Sequence, residues 1–264
     1  MTPVGAGRLK AIAVLVTGFA LVGGAAIAET VRDGDLQITV LDRIAPYKLP
    51  RNEPAPISVH VAGHLDSTTG GIPPQLKRME VEVNRRGLLQ SKGLPACPIP
   101  RIKTASTTRA LQACSQALIG SGRFWGHIVL ADQPPYEAHG RLLIFNGRQG
   151  SRSLVLAHIF TSSPFPSSFV IPFTISHIRA GTYGTLLTAP FPQALGDWGY
   201  VDRIKLNLSR KYRYRGRELS YFNAACPAPR GADRAAFSVA RTTFYFEDRK
   251  PLALTATKAC GVRE

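Results

Sequence analysis

Short runs in which apolar and polar residues alternate recur along most of this chain, each closed off by proline or glycine, and that periodicity leaves few folds open. Side chains two apart on an extended strand share a face, so alternation marks a strand with one side buried. The runs are Leu36 to Leu41, Ile57 to His64, Phe124 to Leu130, Arg141 to Phe145, Leu154 to Phe160, Phe169 to His177, Tyr183 to Leu187, Phe237 to Phe246 and Leu252 to Thr257. Their spacing of roughly ten to fifteen residues is that of an antiparallel β-sandwich. The 20 prolines, among them Pro46, Pro50, Pro54, Pro56 and the pair Pro134-Pro135, suit loops and sheet edges because proline donates no ladder hydrogen bond. One stretch departs from the pattern. Thr104 to Ile119 carries Ala110, Leu111, Ala113, Cys114, Ala117 and Leu118 behind Ser106 or Thr107 as a cap, which predicts a single short helix near 104–119 lying over a sheet.

Part of the chain reads as a copy of another part. The segment Leu76-Lys77-Arg78-Met79-Glu80-Val81-Glu82-Val83-Asn84-Arg85-Arg86 aligns without gaps on Val201-Asp202-Arg203-Ile204-Lys205-Leu206-Asn207-Leu208-Ser209-Arg210-Lys211. Each copy alternates as one strand and then runs through a basic, glycine-containing segment to Ala-Cys-Pro, at Ala96-Cys97-Pro98 and Ala225-Cys226-Pro227. The expected fold is therefore all-β, an antiparallel sandwich built from two related halves, residues 29–150 and 151–264. These would be two sandwich domains or one sandwich with pseudo-twofold symmetry.

The first 28 residues have the layout of a secretory signal. Arg8 and Lys10 precede an uncharged run that begins at Ala11 and closes on Ala26-Ile27-Ala28, small residues that suit a signal peptidase, so the mature chain is expected to begin at Glu29. The uncharged run of about eighteen residues is also near the length of a spanning helix, but glycines and alanines make it a poor anchor. Membrane contact is expected only through this leader before cleavage. Four cysteines, Cys97, Cys114, Cys226 and Cys260, all follow the leader, and an even count in an oxidising compartment argues for two disulfides. Three pairings are open; joining Cys97 to Cys114 and Cys226 to Cys260 closes short local loops. With no C-x-x-C and no Cys-His cluster, no metal is expected.

The sequence around Leu49-Pro50, the stretch from Val83-Asn84-Arg85 to Cys97, Gly140-Arg141-Leu142-Leu143-Ile144-Phe145-Asn146-Gly147, and Ser220-Tyr221 through Cys226-Pro227 resembles a family of uncharacterised secreted actinobacterial proteins. The likeness covers most of the chain after the leader. It implies a secreted domain and brings no activity, cofactor or catalytic residue with it.

Charge supplies the functional hint. Of 33 Lys+Arg against 17 Asp+Glu, only Arg8 and Lys10 fall in the leader, which leaves 31 against 17, a net +14. Such a balance attracts polyanions. If the alternation of the second copy continues through Arg203 to Arg217, then Lys205, Lys211, Arg213, Arg215 and Arg217 form a basic ladder on one strand face. That spacing of ~6.6 Å can follow charges along an extended polymer. Glu80 and Glu82 stand where Lys205 and Asn207 stand, so the ladder belongs to one half only. His60, His64 and Asp66 share one parity of a strand, where His60 and His64 are ~13 Å apart and too distant to share a metal. Phe165, Phe169 and Phe173 with Trp125 and Trp198 make a candidate sugar or lipid platform, or ordinary packing. No G-x-S-x-G, H-E-x-x-H or Ser-x-x-Lys motif occurs. The sequence thus reads as a secreted, non-catalytic binding protein for an anionic envelope polymer or lipid head groups, with no cofactor and no specific nucleic acid. The alternatives are a secreted hydrolase acting on envelope polymer and a structural component presenting a broad apolar patch.

Overall fold

A computed structural model describes residues 28–130, 132–163, 165–191 and 198–263. The leader lies outside the described residues except for Ala28, which opens the first strand. In chain order the elements are β1 (Ala28–Asp33), β2 (Leu36–Ala45), β3 (Lys48–Leu49), β4 (Ala55–Pro56), β5 (Ser58–Ser67), β6 (Leu76–Asn84) and β7 (Gly87–Leu89), then the helices α1 (Ile99–Ile102) and α2 (Thr107–Cys114). There follow β8 (Leu118–Val129), β9 (Tyr136–Gln149), β10 (Arg152–Thr161), β11 (Ser167–His177), β12 (Tyr183–Pro190), β13 (Trp198–Leu208), β14 (Lys211–Tyr214), β15 (Arg217–Ser220), β16 (Phe222–Ala224), β17 (Arg234–Phe246) and β18 (Leu252–Val262). The all-β class holds, with 63% strand and 7% helix, and each alternating run read from sequence lies within or largely within a strand.

Among the described residues, thirteen strands form one curled sheet in the order β1-β2-β5-β13-β8-β9-β10-β11-β12-β6-β17-β18-β3. Strands β13 and β6 lie far from their chain neighbours. β13 sits between β5 and β8, and β6 sits between β12 and β17, so segments 29–150 and 151–264 contribute alternately to the same sheet. Equivalent residues of the aligned copies meet equivalent partners. Arg203 faces Trp125 and Ile204 faces Phe124 on β8, while Arg78 faces Tyr245 and Met79 faces Phe244 on β17. The register slips at the matching place in each, passing over Asp202 in one and Lys77 in the other.

The curl brings the two ends of the sheet together. β1 comes alongside β18, and the Thr257 backbone N–H donates to Glu29 Oε1 at 2.8 Å. Leu36 and Ile38 of β2 pack with Phe246, Leu252 and Leu254 across this seam. Arg249 ties the β17–β18 turn to Asp35 at 2.6 Å, and that guanidinium, with the Ser67 hydroxyl, holds the Asp35 carboxyl below the usual range. Deeper in, Lys258 Nζ of β18 lies 2.8 Å from Asp42 Oδ1 of β2, with side chains only 12% and 8% exposed. The contact is close but off the hydrogen-bond direction, so it acts as a buried ion pair. The larger core fills the inner face with Phe124, Leu142, Ile144, Ile159, Ile171 and Tyr221.

The helical stretch is shorter than sequence predicts. Residues 99–102 form one helical turn, α2 covers 107–114, Ser115–Ala117 tightens into a 3-10 turn, and Leu118 and Ile119 already belong to β8. Ser106 is the cap, its Oγ accepting from the Arg109 N–H at 3.4 Å. Ile119 is drawn into the sheet because its side chain is fully buried in the inner core. The helices cover the outer face of β9 and β10, where Leu143, Phe145, Leu154 and Leu156 meet Ile102 and Ala110. The local pairing is the one formed: Cys97 joins Cys114 and Cys226 joins Cys260, with Cα–Cα distances of 5.5 and 5.8 Å. Two disulfides fit an oxidising compartment. No helix among the described residues is long and apolar enough to cross a membrane.

Two expected outcomes follow from these buried groups. Lys258→Met strands the Asp42 carboxylate and should cost about 3–5 kcal/mol in urea unfolding, whereas adding Asp42→Leu should restore most of it; equal loss in both variants would show that the pair does not close the seam. His158 of β10 is fully buried, and its Nε2–H donates to the Ala105 carbonyl at 2.9 Å. Burial pulls its pKa below 6.5, so the unfolded chain takes up a proton that the folded one refuses. This contribution is complete above pH 6.5 and is lost as pH falls toward the lower folded value. Thermal melts from pH 7.5 to 5 should therefore show a falling midpoint, with a shallower slope in His158→Gln.

Candidate anion-binding face

On β13 the side chains of Ile204, Leu206 and Leu208 enter the core and those of Arg203, Lys205 and Asn207 are exposed, as alternation requires. Pairing on both edges extends this outward face into rows. Lys205 stands opposite Ala62 of β5 and Arg123 of β8, and Arg123 stands opposite Arg141 of β9. Three exposed cations thus lie in register on three adjacent strands, about 5 Å from one strand to the next. β8 approaches β13 so closely beside this row that a Cβ at Gly122 would overlap the Lys205 carbonyl oxygen.

The neighbouring row runs Thr39, His64, Arg203, Trp125 and His139. The Arg203 guanidinium lies 5.8 Å from the centre of the Trp125 ring. On the other side, His60 pairs with the Asn207 side chain, and Arg43 stands opposite His60. Among the described residues, Arg43, Arg123, Arg141, Arg203 and Lys205 take part in no ion pair. Like charges directly opposite on a sheet repel, so this face carries uncompensated positive potential.

The aligned strand β6 offers a direct contrast. Its outward Glu82 pairs with Arg241 of β17, whose guanidinium it holds still more firmly protonated, and its Glu80 accepts from the Tyr245 hydroxyl at 2.8 Å. Arg78 lies 4.0 Å from the centre of the Tyr245 ring. The two carboxylates are thus each engaged by a residue of the neighbouring strand.

The predicted ladder takes a different path. β13 ends at Leu208, β14 begins at Lys211, and the chain reverses at Arg215 and Gly216, with φ of 50° and 75°, before β15 returns. Alternation misses this because a turn at Arg215-Gly216 breaks the period. Lys211 and Arg213 are exposed on β14, while Tyr212 turns inward and donates to the Gln90 and Lys92 carbonyls at 2.9 and 3.1 Å. Arg215 occupies the turn and Arg217 opens β15. Lys211 reaches Glu218 at 3.3 Å, and Glu218 stands opposite Arg213, so the hairpin cations have an acidic neighbour. Lys205 is separated from this hairpin and grouped with Arg123 and Arg141. Those two went unnoticed in sequence because only strand pairing brings residues 123, 141 and 205 together.

His64 donates from Nδ1 to the Asp202 carbonyl at 3.0 Å and lies 2.7 Å from Asp66 through Nε2. His127 lies 3.4 Å from the Asp202 carboxylate and stacks on Tyr200 at 4.8 Å. No group of three or more His, Cys, Asp or Glu among the described residues is placed to hold a metal ion. Of the candidate aromatic platform, Phe173 packs against the core, Phe165 and Phe169 are exposed, and the Trp198 side chain lies outside what is described. Two shallow hollows adjoin the basic regions. One of about 350 Å³ is lined by Leu94, Gln116, Arg210, Tyr212 and Arg213, and one of about 190 Å³ opens on the face beside Lys205. No family model matches the chain, and neither a curated protein nor a solved structure shows significant similarity to it.

Proposed function

We propose that this is a secreted, non-catalytic binding protein of the cell envelope or extracellular space, whose outer basic face holds an anionic polymer. The observation that carries the reading is the row Lys205, Arg123 and Arg141, in register and, among the described residues, without a carboxylate partner. A polyanion laid across β13, β8 and β9 would relieve the repulsion in the row and release its own counterions. The Lys211, Arg213, Arg215 and Arg217 hairpin is a second basic region that the same polymer, or lipid head groups, could touch. Export rests on the leader and on two disulfides that suit an oxidising compartment, and membership of a secreted actinobacterial family belongs to the same proposal. The alternative, a hydrolase on envelope polymer, draws on the His64–Asp66 and His127–Asp202 contacts, yet neither is joined by a hydrogen-bonded Ser, Thr or Cys nucleophile among the described residues.

Binding of the chain from Glu29 to an array of anionic and neutral polymers, at several salt concentrations, tests this. The triple variant Lys205→Gln, Arg123→Gln, Arg141→Gln should lose most affinity for the retained anionic polymer and flatten the log–log salt dependence by about two units. Its thermal midpoint should stay level or rise, since like charges are removed. Replacing the four hairpin cations should matter less. Undiminished binding by the row variant would overturn the proposal.

A further inference from the structure

The hollow of about 190 Å³ beside Lys205 has a floor and a rim of different chemistry. Leu41, which is 39% exposed, and Ala62 form an apolar floor between β2 and β5, while Arg203 and Lys205 stand at one side with His64 and Thr39 near them. Ala62 makes the hollow. It lies in register between Leu41 and Lys205, and any longer side chain there would fill the space. The Arg203 guanidinium carbon lies over the Trp125 ring, 5.8 Å from its centre, and among the described residues no carboxylate pairs with it, so its planar fork of N–H donors suits an oxyanion.

We infer that this hollow seats one acidic sugar residue, a uronate or a sulfated hexose, of an anionic polysaccharide that continues across Arg123 and Arg141. The inference rests on the reading of this face as a polyanion surface and narrows it to one chemical class. A pyranose ring has an apolar C–H face that matches Leu41 and Ala62, a hydroxyl edge for Thr39, and an anionic substituent for Lys205 and Arg203. Such sites are mostly apolar with a few polar groups that fix orientation. Inorganic polyphosphate is charged along its whole length and would leave the apolar floor wet. The acyl chain of a lipid is larger than a hollow of about 190 Å³.

The test is titration of the chain from Glu29 with oligogalacturonate, with inorganic polyphosphate and with phosphatidylglycerol vesicles, using wild type, Ala62→Leu and Leu41→Ser. Ala62→Leu fills the hollow and leaves every charge in place. It should weaken oligogalacturonate binding about tenfold or more while changing polyphosphate binding less than about twofold, with an unchanged thermal midpoint. Leu41→Ser, which removes the floor without blocking it, should weaken oligogalacturonate in the same selective way. If Ala62→Leu and Leu41→Ser both leave oligogalacturonate binding intact, or weaken polyphosphate or vesicle binding as strongly, the sugar seat is overturned while the polyanion reading stands. If wild type binds none of the three probes, the polyanion reading falls and the sugar seat with it.

Discussion

The insertion of β13 between β5 and β8 organises both surfaces of this protein. A strand hydrogen-bonded on both edges has its register fixed twice, and a slip of one residue on either edge would exchange its inner and outer side chains. With Ile204, Leu206 and Leu208 held in the core, Arg203, Lys205 and Asn207 have only the outer face to occupy. The same pairing carries that outward alternation onto His60, Ala62 and His64 on one side and Ser121, Arg123 and Trp125 on the other. The basic face is therefore a consequence of core formation, and its geometry is as rigid as the sheet that carries it.

Most of the fold was legible because it depends on local pattern. Alternation located the strands around residues 36–41, 154–160 and 237–246, since one buried face imposes period two on each strand wherever its partners lie. The cysteine pairing also lay among the options open in sequence. What could not be read was pairing over long separations. Nothing near Arg123 indicates that Lys205 will lie beside it, because the contact joins strands eighty residues apart. Two local signals were also outweighed. Ile119 fits a helix but is worth more in the inner core of β8, and Arg213 to Arg217 fit a strand face until Arg215 and Gly216 take positive φ and turn the chain back.

The two aligned strands show how one backbone arrangement supports opposite electrostatics. Both β6 and β13 set an outward arginine over an aromatic ring of the next strand, Arg78 over Tyr245 and Arg203 over Trp125. One step further along, the copies diverge. β6 carries Glu80 and Glu82, which Tyr245 and Arg241 satisfy, so its face is neutralised from within. β13 carries Lys205 and meets Arg123, and among the described residues neither has a carboxylate partner. Stability alone explains the first arrangement but not the second, because opposite charges on neighbouring strands stabilise a sheet and like charges do the reverse.

A general excess of basic residues would account for scattered surface charge, as a device for solubility. It does not account for where the cations and the few anions stand. Four outward acidic groups are taken up locally: Asp35 by Arg249, Glu247 by Lys77, Glu218 by Lys211 and Glu82 by Arg241. On the face of β13, β8 and β9 three cations stand in one row with no ion pair among the described residues, next to the half-buried Trp125 and a small apolar hollow. Screening at physiological ionic strength acts over about 8 Å, longer than the spacing between adjacent strands, so the three charges still act on a ligand together. A free cation row next to apolar surface is costly for an isolated domain, and the proposed partner, extended, negatively charged and with an apolar side of its own, would offset that cost.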